Sequence, residues 1–250
     1  MCLRGHRERA VDNVLAFFPG SDRAWAAGVT LRSMEGLGSA LAEAAGLAKQ
    51  GREKLLAGTA AIGAENLEEA LGVGSGVVVA SAHMGCWELL PAYLAARGRR
   101  VAVLARPQAG RRESKLLREE RGRLGVEEIG LGVAPLKRAV RILKAGGIVV
   151  CPFDRGRAMR EDREGARQGL SAPALGVKLS ATTGSVILPA RALVSAGRHA
   201  LVFEKPMMVG PRSDLEAAVR ELESAVAKWV RQTPDQWVWL DGGRTQSAEV

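Results

Sequence analysis

A chain of 250 residues with 47% apolar and 25% charged side chains has enough apolar material for one sizeable core, which excludes intrinsic disorder as its resting state. Lys and Arg outnumber Asp and Glu by 36 to 27, a formal charge of +9, and this favours an anionic partner: nucleic acid, a phospholipid surface or an acidic carrier protein. Cys2, Cys86 and Cys151 are an odd set without framework spacing, read as free thiols in a reducing, cytoplasmic compartment.

The first residues, Met-Cys-Leu-Arg-Gly-His-Arg-Glu-Arg, are charged where a signal peptide needs an apolar core. No apolar run reaches the roughly 18 residues of a membrane-spanning helix. Peripheral attachment is then the route to a membrane, each basic side chain near an anionic leaflet contributing about 1 kcal/mol. From Ser21 to Leu56, the apolar residues Trp25, Val29, Leu31, Leu37, Leu41 and Leu47 recur at helical spacings and predict an α-helical N-terminal layer. A short helix is expected from Gly63 to Leu71. The β-branched run Gly76-Val-Val-Val-Ala-Ser-Ala82, bounded by Gly, predicts a buried strand.

Helix and strand then alternate. Helices are expected at Trp87–Ala96, Arg111–Leu124 and Pro135–Ala145, and strands at Val101–Ala105, Val126–Ile129 and Ile148–Phe153. Such alternation implies crossover units: an α/β fold with a central, mostly parallel sheet flanked by helices. A polar loop at Asp154–Gly169 precedes a helix at Ala172–Ala181, strands at Val186–Leu193 and His199–Phe203, and a helix at Ser213–Gln232. No linker, internal repeat or low-complexity tract divides the chain.

Ser81-Ala-His-Met-Gly-Cys-Trp-Glu88 follows the first of these buried strands. The carboxyl ends of strands are where open α/β sheets place ligands, and His83 stands there with Gly85 to turn the backbone. An imidazole at that place suits a general base for acyl transfer to a hydroxyl, and a carboxylate on its second ring nitrogen would fix the tautomer. Glu88 is the carboxylate nearest in sequence. Five residues turn about 140° on an ideal helix, so the two meet only if His83 precedes the helix and Glu88 lies in its first turn. Gly85 and Cys86 form the intervening turn, whose N–H groups are placed to hold an oxyanion. Spacing alone favours the plainer reading, a hydrogen-bonded strand-end histidine and a first-turn carboxylate stabilised by the helix dipole.

The octapeptide resembles the His-x4-Asp/Glu block of the bacterial lipid A biosynthesis acyltransferases, the lauroyl and myristoyl transferases of the lysophospholipid acyltransferase superfamily. Further blocks agree in order: Arg9-Ala-Val-Asp-Asn-Val-Leu-Ala-Phe-Phe-Pro19, Leu104-Ala-Arg-Pro107, Arg121-Gly-Arg-Leu-Gly-Val126, Pro152-Phe-Asp-Arg155 and Pro234-Asp-Gln-Trp-Val-Trp-Leu240. The resemblance covers nearly the whole chain. It implies a single acyltransferase domain over residues 1–250 with a glycerolphosphate acyltransferase-like fold, a helical layer in 1–56 and an α/β core in 57–240. The implied activity moves a fatty acyl chain from acyl carrier protein or acyl-CoA to a hydroxyl of a membrane glycolipid such as a lipid A precursor. No cofactor or metal is implied beyond that thioester co-substrate. The site on the inner face of the cell membrane, with the protein peripheral to it, is likewise what the resemblance implies.

By the same resemblance His83 and Glu88 carry catalysis, while Arg106, Arg121, Asp154 and Arg155 bind substrate. A guanidinium suits phosphate because its planar fork donates two parallel hydrogen bonds. Three departures stand out: Cys86 occupies a position commonly Asn, Arg155 replaces Gln after Asp154, and the usual N-terminal anchoring segment is missing. The stretch after Gly169 is also shorter than the family pattern.

Two other chemistries fit parts of the sequence. Cys86, beside His83 at a helix start, suits a cysteine-dependent acyl thioesterase. The basic tracts Arg106–Arg123 and Arg155–Arg167, with Lys137, Arg141 and Lys144, suit a non-catalytic binder of anionic lipid or nucleic acid, or simply a solvated face. The chain lacks a nucleic-acid motif, so nucleic acid is not the expected partner. His6, His199 and Cys151 are too scattered for a metal site. Trp229, Trp237 and Trp239 suit either a lipid interface or core packing.

Overall fold

A computed structural model describes residues 2–105, 112–130, 132–154, 172–195, 197–210 and 213–239. Arg106, Arg155, and the basic tract from Arg155 to Arg167 fall outside these residues. So does the segment around Gly169.

Four helices precede the first strand: α1 (Cys2–Phe17), α2 (Arg23–Ala44), α3 (Leu47–Gln50) and α4 (Arg52–Ala57). Asp22 starts α2 because its side chain accepts the Trp25 N–H at 2.7 Å, satisfying a donor that the helix itself leaves unpaired. Beyond them the chain alternates as the periodicity predicts. The strands are β1 (Thr59–Ile62), β2 (Val77–Ser81), β3 (Val101–Leu104), β4 (Val126–Ile129), β5 (Ile148–Pro152), β6 (Val186–Ser195), β7 (Arg198–Phe203) and β8 (Met207–Met208). The helices between and after them are α5 (Ala64–Gly72), α6 (Leu89–Ala96), α7 (Arg112–Arg123), α8 (Val133–Lys144), α9 (Ala172–Thr183) and α10 (Leu215–Gln232). None of the helices among the described residues is long and apolar enough to cross a membrane.

The eight described strands join one sheet in the order β1-β7-β6-β2-β5-β3-β4, with β8 added beside β6. Pairing is parallel throughout β6-β2-β5-β3-β4 and between β1 and β7. It is antiparallel where β6 meets β7 and β8. The fold is therefore α/β with a mostly parallel central sheet, as the alternation required.

Central strands bury both faces, and their alternate residues feed two cores. Val78, Ala80 and Ala82 face the layer containing Val14, Val29, Ile142, Val177, Leu222 and Trp229. Val77 and Val79 face the opposite layer, with Leu67, Leu90 and Leu94. Helix α10 illustrates the fit of pattern to layer: Ala218, Leu222, Val226, Trp229 and Val230 recur at helical spacing and are its buried residues.

Two strands are additions to the sequence reading. Thr59-Ala-Ala-Ile62 has little strand character of its own, and its pairing with His199–Val202 makes it the edge strand β1. Met207–Met208 pairs with Val186 and Ile187 in the same way.

Candidate active site

β2 and β5 are parallel neighbours in register, with Ser81 opposite Pro152. The Phe153 N–H extends their ladder by one bond to the Ser81 carbonyl, at 2.6 Å. Two residues past that rung, the strands deliver His83 and Asp154 to the same place. His83 Nδ1 lies 2.8 Å from Asp154 Oδ1, and the His83 backbone N–H donates to Oδ2 at 2.7 Å. Trp237 completes the carboxylate's shell, its indole N–H donating to Oδ2 at 2.9 Å.

The electrostatics follow from this shell. Burial alone would raise the Asp154 carboxyl. The His83 charge, the two bonds from His83 and the one from Trp237 outweigh burial and hold it at about 2, against an ordinary 3.8. Asp154 is thus ionised at neutral pH and can only accept, so Nδ1 carries the proton whenever the ring is in its neutral form. The lone pair falls on Nε2, which has no partner among the described residues. The Asp154 side chain is 2% exposed and that of His83 17%, so the ring is the member of the pair that meets an incoming molecule. Trp87 packs edge-on against it, with ring centroids 5.3 Å apart.

Glu88 is not the carboxylate that orients His83. The reason is Gly85, whose φ of +51° takes the chain across the sheet. Met84 packs in one core layer with Trp237 and Phe153, whereas Cys86 and Leu89 pack in the other. A Cβ at Gly85 would stand 2.9 Å from the Ala192 carbonyl oxygen, so a side chain there would collide with β6. Glu88 consequently lies just ahead of α6, where it receives Arg121 in a two-pronged pair: Nε to Oε2 at 2.9 Å and one terminal nitrogen to Oε1 at 2.5 Å. The Trp87 indole N–H also donates to Oε1, at 3.0 Å.

Arg121 is correspondingly not a free phosphate ligand. Its other terminal nitrogen donates to Glu128 Oε2 at 2.7 Å, and the side chain is 13% exposed. Burial works against its charge, but the two carboxylates more than compensate and its pKa is raised. Asp154, expected to contact substrate, instead grips His83.

Gly85 serves as the turn, but its N–H donates to the Gln236 carbonyl at 3.0 Å and is withdrawn from any oxyanion site. The Cys86 thiol points the other way, towards the Ala40 carbonyl of α2 at 3.9 Å. Chiefly through burial its pKa is pushed up to about 12, so it is a neutral packing group and not a nucleophile at neutral pH. Cys151 is buried and shifted upwards in the same way. The thioesterase reading loses its thiolate. Trp229, Trp237 and Trp239 are all core residues. Among the described residues no group of His, Cys, Asp and Glu could hold a metal ion.

A buried His–Asp pair at the carboxyl edge of a parallel sheet, with Nε2 unpartnered among the described residues, can act chemically as a general base. The sequence pattern of the bacterial lipid A biosynthesis acyltransferases matches residues 2–242. The chain belongs to that family. Among solved structures, the 1-acyl-sn-glycerophosphate (LPA) acyltransferase PlsC from Thermotoga maritima is similar, at 16% identity and a TM-score of 0.45, over 95% of this chain and 99% of that one. No curated protein sequence matches. For this acyltransferase family member, Asp154 as the His83 partner and Trp237 as the Asp154 partner are what the sequence reading missed. The register of β2 and β5 carried the first signal, since both motifs begin two residues after a buried strand.

Proposed function

We propose that the protein transfers a fatty acyl chain from a thioester, carried by acyl carrier protein or CoA, to a hydroxyl of a membrane glycolipid such as a lipid A precursor. The observation that carries this reading is the His83–Asp154 pair, whose Nε2 has no partner among the described residues. As the acceptor oxygen attacks the thioester carbonyl, Nε2 takes the hydroxyl proton, and the ionised Asp154 stabilises the resulting imidazolium. The tetrahedral intermediate collapses, breaking the carbon–sulfur bond, and the imidazolium returns the proton to the departing thiolate. The N–H groups of Cys86, Trp87 and Glu88, without a backbone partner among the described residues, are the donors left in this stretch for the oxyanion. Every bond change is supplied by the thioester, the hydroxyl and the imidazole, so the reaction needs neither a redox group nor a metal.

A membrane acceptor is supported by α8. This helix follows β4 and precedes β5, both parallel to β2, so its first turn lies at the same sheet edge as His83. From that edge a stripe of Val133, 74% exposed, Leu136, Lys137, Val140 and Arg141 runs along α8 to its last turn. Apolar side chains flanked by cations are what an anionic leaflet takes up, which supports a peripheral position on the inner face of the cell membrane.

The test is transfer of labelled acyl chains from acyl carrier protein and from CoA to a panel of lipid acceptors. His83→Ala is expected to abolish transfer while the protein stays folded. Wild-type rates in that variant would sink the assignment.

A further inference from the structure

The strongest unassigned feature is the way residues 234–239 are sewn to the His83 turn. The Gly85 N–H donates to the Gln236 carbonyl at 3.0 Å, and the Val238 N–H donates to the His83 carbonyl at 3.1 Å. Between them Met84 and Trp237 form an antiparallel bridge. The segment is itself immobilised. Ser33 Oγ donates to the Trp237 carbonyl at 2.5 Å, and Asn13 Nδ2 to the Trp239 carbonyl at 3.1 Å. The Gln236 side-chain amide pairs with both backbone groups of Val194, at 2.9 and 2.7 Å. From this anchored backbone the Trp237 ring reaches inward, and its N–H meets Asp154 Oδ2 at 2.9 Å.

Asp154 has few other ways to hold its rotation. Among the described residues its two oxygens receive three donors, two of them from His83 itself, and the third is the indole. Without the indole, the carboxylate and the imidazole would be held chiefly by each other. We propose that Trp237 is a positioning residue for acyl transfer: its N–H fixes the plane of the Asp154 carboxylate, which in turn aims His83 Nε2 at the acceptor hydroxyl. This rests on the functional reading above.

Trp239 is a built-in comparison. It lies two residues on, is buried in the same aromatic cluster with its ring centroid 4.6 Å from that of Trp237, and donates its N–H to the Pro234 carbonyl at 2.6 Å. It shares the packing and lacks the link to Asp154.

Phe in place of either Trp keeps a ring and removes the N–H. Trp237→Phe should lower kcat about ten- to hundredfold, the usual range for a lost second-layer hydrogen bond, with KM within about twofold. Trp239→Phe should lower the melting temperature by a similar amount and leave kcat within about twofold. Folding alone would move the two variants together. A second readout is independent of turnover. In the ¹H–¹⁵N spectrum of protein labelled at its five tryptophans, the indole signal lost in Trp237→Phe should be the one displaced most by Asp154→Asn. A neutral amide accepts that proton more weakly than a carboxylate does. Equal kcat losses in the two Phe variants would overturn the proposal, as would an indole signal indifferent to Asp154→Asn. Absence of transfer by the wild type would instead remove the functional reading on which the proposal stands.

Discussion

Two buried carboxylates flank the His83 turn, and they are built for opposite purposes. Glu88 sits in a closed ion cluster: both its oxygens are taken by Arg121, which also holds Glu128, and the group ties the start of α6 to α7 and β4. Asp154 sits in an open arrangement, bonded to an imidazole whose far nitrogen has no partner among the described residues. A fully neutralised carboxylate braces structure. One that shares its charge with a titratable, partly exposed ring can do proton chemistry.

Exchanging each carboxylate for its amide should break the two apart. Asp154→Asn leaves the shape intact, removes the charge that supports the imidazolium and favours the wrong tautomer, so transfer should fall by about 10² to 10⁴. Glu88→Gln should leave the turnover of folded protein within about tenfold and cost about 3 kcal/mol of stability, because Arg121 is left buried with one full countercharge. Turnover numbers and urea midpoints measured on the same preparations decide between these outcomes. The reverse pattern would return the catalytic role to Glu88.

Acid separates them further. The folded chain holds Asp154 at about 2 and the unfolded chain at its ordinary 3.8, so between those values the unfolded state binds more protons. The stability this carboxylate contributes is therefore complete above about pH 4 and disappears as pH falls towards about 2, an amount on the order of 2 kcal/mol. Urea midpoints of wild type should fall more steeply through that window than those of Asp154→Asn. Parallel curves would mean that the shell around Asp154 does not favour its charge.

The smallest effect concerns α8. Lys137→Gln and Arg141→Gln should each weaken sedimentation with vesicles containing phosphatidylglycerol about fivefold, near 1 kcal/mol per charge, and leave the weak binding to pure phosphatidylcholine unchanged. Undiminished binding by both variants would move the membrane contact to another surface.

Much of the scaffold could be read in advance because its signals are local. Val77-Val-Val-Ala-Ser81 and Ile148-Val-Val-Cys-Pro152 announce buried parallel strands by composition, and the predicted limits of β4 coincide with those found. β1 escaped because Thr59-Ala-Ala-Ile62 becomes a strand only by pairing with β7, well over a hundred residues later. His83 was legible as a strand-end imidazole before a glycine. Its partner was not, because proximity in sequence favours Glu88 while Asp154 stands 71 residues away and comes close only through strand order. Arg121 misled for a related reason: a guanidinium that suits phosphate suits two carboxylates equally well, and Glu88 and Glu128 reach it first. The burial of Cys86 was also invisible, since it depends on which way the chain crosses at Gly85.

The threading of residues 234–239 against the His83 turn has a consequence for the order in which the molecule becomes competent. During synthesis, a ribosome that has delivered residue 154 has already supplied both members of the His83–Asp154 pair. The backbone that holds them in line is translated more than eighty residues later. On the proposed role of Trp237, full turnover would wait until residues 234–239 have emerged and docked against the His83 turn.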